Sequence, residues 1–135
     1  MLRHICKSKI HRARVTEANL NYIGSITISE DLMEAADIIP YERVQVLDVD
    51  NGARLETYAI PAPAGSGEVC LNGAAARLVH KDDTVIIISY CMLNEHELRE
   101  FRPRVIYVDR NNQIMRTETM EKPFEITREL ITDLC

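Results

Sequence analysis

The chain has 135 residues, 46% of them hydrophobic, which is the size of one compact domain with a single core and no linker. Sixteen basic against 21 acidic residues leave a net charge of −5, the wrong sign for a protein that must neutralise phosphates, so no nucleic-acid partner is expected. No apolar run reaches the roughly 20 residues that span a bilayer, and residues 1–9 are charged without the apolar stretch of a signal peptide; a cytoplasmic protein with no membrane partner is expected.

In chain order, the first predicted strand covers residues 9–16. Period-two alternation puts Lys9 and His11 on one face of it, and with Arg12 they could meet an anion. On residue types alone a solvated basic edge strand is the commoner outcome. Next comes Tyr22-Ile23-Gly24-Ser25, directly before a β-branched run at 26–28. A glycine leaves its carbonyl unshielded and free to take unusual φ/ψ values, so the following serine hydroxyl can attack it in an intramolecular acyl shift. Taken alone, Gly-Ser is turn chemistry, and Gly65-Ser66 is a second copy in a loop that follows Pro61 and Pro63. Only Gly24-Ser25 leads straight into a strand.

Ser29 is a candidate cap for a helix with Glu30 and Asp31 in its first turn, stopped by Pro40 after Ile39. Strands at 44–49 and 55–60 flank Asn51-Gly52, both of which tolerate the positive φ of a tight hairpin. Along the second of these, Arg54, Glu56 and Tyr58 share one face and Leu55 and Thr57 the other. Arginine offers a planar fork for carboxylates, threonine a hydroxyl and tyrosine a phenolic proton, though Thr57 and Tyr58 need a bulge or a neighbouring chain to converge.

A strand at 69–71 leads into Asn72-Gly73-Ala74-Ala75-Ala76, where small side chains let a ligand approach backbone N–H groups. A tight turn into a short helix is the equal alternative. The strand at 84–92 contains Val85-Ile86-Ile87-Ile88, which does not alternate and is expected to be covered on both faces. A short helix at 94–101, strands at 104–108 and 114–119, and a third helix at 127–134 with Leu130, Ile131 and Leu134 on one face complete the chain. Cys6, Cys70, Cys91 and Cys135 form no CxxC pair and have no histidine at ligand spacing, so reduced thiols and no metal site are expected.

Many short strands with scarce helix predict an all-β fold, a small closed barrel, because closure removes unpaired edges. Such a barrel is filled with side chains, and a neighbouring subunit is the natural cover for its outer face.

Read together, residues 9–25, Asn51-Gly52 with Arg54 and Thr57-Tyr58, and Asn72-Gly73-Ala74-Ala75-Ala76 resemble the bacterial pyruvoyl-dependent aspartate 1-decarboxylases, and the likeness continues through 83–88 and 101–109. The resemblance implies a double-psi β-barrel, a homotetramer with active sites between subunits, and conversion of L-aspartate to β-alanine and CO2 for pantothenate and coenzyme A synthesis. It implies self-cleavage between Gly24 and Ser25, giving a β chain of residues 1–24 and an α chain of 25–135, with Ser25 becoming a covalent pyruvoyl cofactor that holds the substrate as a Schiff base. It leaves room for a maturation factor. By the same resemblance Tyr58 is the catalytic proton donor. Lys9, Arg54, Thr57, Gly73, Ala74 and Ala75 bind substrate, with Lys9 and Arg54 as the carboxylate binders. His11, Tyr22 and Asn72 support the site, and Thr57 also assists cleavage. Asn19 and Ser29 stand where the family pattern has aspartates, Leu47 where some members have an aromatic and Asp82 where a glycine is common, and the tail beyond Pro123 is longer.

Two readings from other classes compete: a non-enzymatic barrel whose basic strand binds an acidic partner, and a hydrolase using Ser25 with His11. The second lacks a G-x-S-x-G elbow and a third member.

Overall fold

The computed structural model describes residues 1–123, and they form an all-β fold. Nine strands, β1 (Arg3–Arg14), β2 (Glu17–Asn19), β3 (Ser25–Ser29), β4 (Arg43–Asp48), β5 (Arg54–Ala62), β6 (Val69–Asn72), β7 (Thr84–Leu93), β8 (Arg104–Val108) and β9 (Ile114–Glu118), are joined in the order β2-β6-β3-β5-β4-β7-β1-β8-β9. Two short helices, α1 (Glu30–Ala35) and α2 (Glu95–Leu98), and a 3-10 turn at Gly73–Arg77 fill the connections. The predicted helix at 127–134 lies outside the described residues.

The sheet closes on itself. β1 pairs with β7 and β8, and two residues after it ends the same chain path becomes β2, which pairs with β6. At this seam Val15 N–H donates to the Asp83 carbonyl at 2.9 Å and Thr16 N–H to the Val69 carbonyl at 2.8 Å. Buried Asn112 secures it from outside, donating through Nδ2 to the carbonyls of Arg14 and Gly67, each at 2.8 Å. Closure gathers residues from both ends of the strand order, Ile10 and Ala13 with Ile26, Val69 and Leu71, into one apolar core. Burying such side chains contributes about 1.5–3 kcal/mol each, which is the dominant favourable term.

Several boundaries differ from the sequence expectation. β1 begins six residues earlier than predicted, at Arg3, because it pairs antiparallel with β7 as far as Leu93. Its polar alternation alone gave no strand signal. A register shift between Ile10 and Ala13, with Arg12 at φ 58°, bends it where the barrel turns. The helix expected to run to Ile39 ends at Ala35: Asp37 takes φ 55°, Asp37 N–H donates to Glu34 O at 3.1 Å and Ile38 N–H to Met33 O at 2.8 Å, the two bonds of a Schellman cap. Pro40 is therefore not what stops it. Nor does the Ser29 side chain cap this helix; its hydroxyl donates to the Asp31 carboxylate, with the Pro63 carbonyl 3.3 Å away. The Asn51-Gly52 connection is a five-residue loop rather than a tight two-residue turn, and only Gly52 has positive φ, at 77°. In β7, Val85 and Ile87 face the core and Ile88 is also buried, while Ile86 is partly exposed.

Candidate active site

Parallel pairing of β3 with β5 sets Ile26 against Ala59, both in the core, so the alternate residues Ser25 and Thr27 share the outward face with Tyr58. Antiparallel pairing with β6 sets Ser25 opposite Asn72 and Thr27 opposite Cys70. Four polar side chains thereby converge on one face, and three of them are nearly inaccessible: Ser25 is 6%, Cys70 6% and Asn72 4% exposed.

Their hydrogen bonds form a directed set. Asn72 Nδ2 donates to Ser25 Oγ at 2.9 Å and to Thr27 Oγ1 at 2.9 Å, while the Cys70 thiol donates to Asn72 Oδ1 at 3.0 Å. Ser25 Oγ, as the acceptor, keeps its own proton free. Gly73 follows Asn72 with φ 65°, and a Cβ there would lie 2.8 Å from Gly24 Cα and 3.1 Å from the Tyr22 carbonyl. Glycine at 73 is what lets the 3-10 turn lie against the Gly24-Ser25 bond. Gly24 differs: a Cβ there would meet only the Asn72 carbonyl, at 3.9 Å, and its φ is not positive. Strained backbone is thus no reason for a glycine at this position. The run at 72–76 forms the tight turn into a short helix, one of the two alternatives read from sequence, with Gly73 packed against Gly24.

Tyr58 is half-buried and stacks on Tyr41, with ring centroids 6.0 Å apart and planes at 23°. Tyr22, Ile23 and Tyr41 are 51%, 88% and 75% exposed, an apolar rim beside the polar cluster.

The remaining sequence-derived residues stand elsewhere on the chain. Thr57 points to the opposite face of β5 from Tyr58, because the β4–β5 ladder runs from Arg43–Tyr58 to Leu47–Arg54 without a bulge. Arg54 is exposed four residues before Tyr58, about 13 Å along the strand. Lys9 and His11 lie on β1, with β7, β4 and β5 between it and β3. Lys9 pairs with Glu121 at 2.8 Å, and His11 packs edge-on against Tyr107 with centroids 5.5 Å apart. Burial, followed by the charges of Lys9 and Arg12, pushes the His11 imidazole down to about 4. His11 is neutral at pH 7, so it adds no charge to the cations of β1, and the strand order sets it apart from Ser25 within one chain.

Thr27 and Cys70 were missed from sequence. The signal was present in the alternation Ser25-Ile26-Thr27 and Cys70-Leu71-Asn72, but only the register of β3 against β6 joins the two.

Away from this cluster, Asp48, Asp50 and Asp83 bring carboxylate oxygens within 4.8 Å of one another, a set able to hold a metal ion or a proton. Asp48 is 2% exposed; its Oδ1 accepts from Asp50 N–H at 2.8 Å, while its buried Oδ2 has no donor. Burial, and then the hydrogen bond shared with Asp83, raise the Asp48 carboxyl to about 6, while the same bond holds Asp83 below its ordinary value. A proton taken up between them below about pH 6 would satisfy the orphan oxygen. A cleft of about 580 Å³ across β4, β5 and β7, lined by Glu42, Arg43, Gln45, Glu56 and Tyr90 among others, does not include Ser25. Among the described residues no helix is long and apolar enough to cross a membrane.

The fold is that of a small closed β-barrel in which a buried serine, preceded by glycine, accepts a hydrogen bond from an asparagine amide at the start of β3. The model of the aspartate decarboxylase family matches residues 1–115. The chain is 59% identical over 126 residues to aspartate 1-decarboxylase of Moorella thermoacetica, covering 93% of this chain and 98% of that protein. Over 122 residues it is 59% identical to the Acetivibrio thermocellus protein of that name, covering 90% and 97%. With the one from Pelotomaculum thermopropionicum it shares 64% over 109 residues, covering 81% and 83%. The chain belongs to the aspartate decarboxylase family.

Proposed function

We propose that Ser25 is the source of the prosthetic group with which this chain, an aspartate decarboxylase by family, removes the α-carboxyl of L-aspartate to give β-alanine, a precursor for pantothenate. The observation that carries the reading is the Ser25 hydroxyl, buried and accepting from Asn72 Nδ2 at 2.9 Å, with the Gly73 backbone packed on Gly24.

The rearrangement balances with one water. Ser25 Oγ bonds to the Gly24 carbonyl carbon, the C–N bond breaks, and the hydroxyl proton passes to the freed nitrogen. Loss of the Ser25 Cα proton then expels the Gly24 carboxylate from Cβ. Addition of water and departure of ammonia leave a ketone at the former Ser25 Cα, the pyruvoyl group, heading a fragment of 25–135. The residues around Ser25 fit such a group: the cluster is polar, dry and free of bulk. When formed, the ketone supplies the electron sink that no ordinary side chain offers when a carboxyl group is lost.

The chain's own residues would do the rest. Tyr58 gives its phenolic proton to the substrate carbon that lost CO2. The backbone of Gly73, Ala74 and Ala75 and the Thr57 hydroxyl hold the substrate, and Lys9 and Arg54 grip carboxylates, with Tyr22, His11 and Asn72 lining the space. Because Lys9, His11, Arg54 and Thr57 stand apart from Ser25 within one chain, a second copy seated on the rim of Tyr22, Ile23 and Tyr41 would bring them to it. A homotetramer with sites between copies is the assembly the family suggests.

Denaturing mass spectrometry of the purified protein tests the reading. A fragment ending at Gly24 and a larger one with a terminus blocked to amine reagents are expected, and Ser25→Ala should remain one inactive chain. A free serine amine at that terminus, or activity in Ser25→Ala, would end it.

A further inference from the structure

The Asn72 side chain could be turned end for end with almost no change of shape, and its two hydroxyl neighbours would not object, since Ser25 Oγ and Thr27 Oγ1 can each donate or accept. In the turned state Asn72 Oδ1 would face Ser25 and take its hydroxyl proton in a hydrogen bond. The proton would then be directed to the amide oxygen and away from the peptide nitrogen it must reach. In the observed state Nδ2 donates to Ser25 Oγ at 2.9 Å and leaves that proton free.

What distinguishes the two states is the third neighbour. Cys70 Sγ lies 3.0 Å from Asn72 Oδ1, and a thiol is a donor far more than an acceptor of N–H bonds in this setting. Burial raises the Cys70 thiol to about 11, so the proton stays on sulfur throughout the neutral range. The thiol is buried beside Asn72 on β6, on the same outward face.

We infer that Cys70 is a positioning residue for the Gly24–Ser25 rearrangement, its S–H fixing the Asn72 amide so that Nδ2 faces Ser25 Oγ. The inference rests on the self-cleavage reading above. It adds a residue that never touches the reacting bond and acts only through Asn72.

The test follows fragment masses over time in full-length chain made by cell-free synthesis. Cys70→Ala and Cys70→Val, the second refilling the lost volume, should cleave about tenfold more slowly than wild type. Cys70→Ser, which keeps a donor, should cleave close to the wild-type rate. In an Asn72→Ala background, Cys70→Ala should cause no further slowing, because the group it orients is gone. Unfolding temperatures measured in a Ser25→Ala background identify any variant that has lost its fold. Equal cleavage by wild type, Cys70→Ala and Cys70→Val overturns the inference, as does the same slowing with and without Asn72. A wild-type chain that stays intact removes the cleavage reading itself, and this inference with it.

Discussion

Asn72 uses both amide protons on hydroxyl groups and its oxygen on a thiol, which leaves Ser25 dry, oriented and still protonated. Tyr58 has a different duty on the same face. In the proposed reaction its phenol serves only the final protonation, so Tyr58→Phe should fold, cleave and lose CO2 from aspartate, yet make β-alanine at least tenfold more slowly. The Tyr41 stack survives in this variant because the ring is kept. A stalled carbanion can instead take its proton on the cofactor carbon, so inactivation per turnover should rise. Following β-alanine and fragment masses together checks this; wild-type turnover without excess inactivation would make Tyr58 a packing residue.

At the scale of elements, the connection between β4 and β5 is tied to the start of β7 by carboxylates rather than by apolar contact. Asp50 Oδ2 accepts from Thr84 N–H at 2.8 Å, and the carboxylate oxygens of Asp48 and Asp83 lie within 4.8 Å of each other, close enough to share a proton in acid. The Asp48 carboxyl has an ordinary value of 3.8 and lies at about 6 in the fold. Its contribution to stability is therefore complete below about pH 4, is lost as pH rises through 6, and is absent above that. Asp83, held below its ordinary value, works in the opposite sense and loses its contribution only in acid. Asp48→Asn replaces the shared proton with a permanent N–H donor. The variant should gain about 1 kcal/mol over wild type at pH 7.5, with the gain shrinking toward pH 4. Thermal unfolding of both proteins from pH 4 to 8 measures the difference, and parallel curves would rule the shared proton out. At the same turn Asp82 takes φ 73°, in the left-handed region, and its carboxylate meets Arg14 at 3.0 Å.

For the whole molecule, the decisive feature is that Ser25 and Tyr58 lie in register on one face of the barrel, while Arg54 stands about 13 Å along that face, Thr57 on the opposite face of β5, and Lys9 and His11 on a distant strand. If sites are completed between copies, two inactive variants should rescue each other. Ser25→Ala supplies an intact Arg54 and Arg54→Leu an intact Ser25, so random mixed oligomers should hold roughly a quarter of the possible sites intact. Unfolding and refolding the two variants together, then assaying β-alanine, makes the test. Activity no greater than the sum of the separately refolded variants would put the whole site within one chain.

The sequence by itself determined the strand-rich character, the Gly-Ser junction ahead of a strand, the alternation that places Arg54 and Tyr58 together and Thr57 opposite, and the family. The family rests on the resemblance of whole motifs, and the rest are local matters that residue type and period-two spacing decide before any long-range contact forms. Tertiary structure alone decided how the sheet closes through Thr16 and Val69, where α1 ends at a left-handed Asp37, and that His11 is neutral. It alone joined Cys70, Asn72, Thr27 and Ser25, because strands distant in sequence meet side chain to side chain only once their register is set, and register depends on burying Ile26, Ala59 and Leu71 in one core.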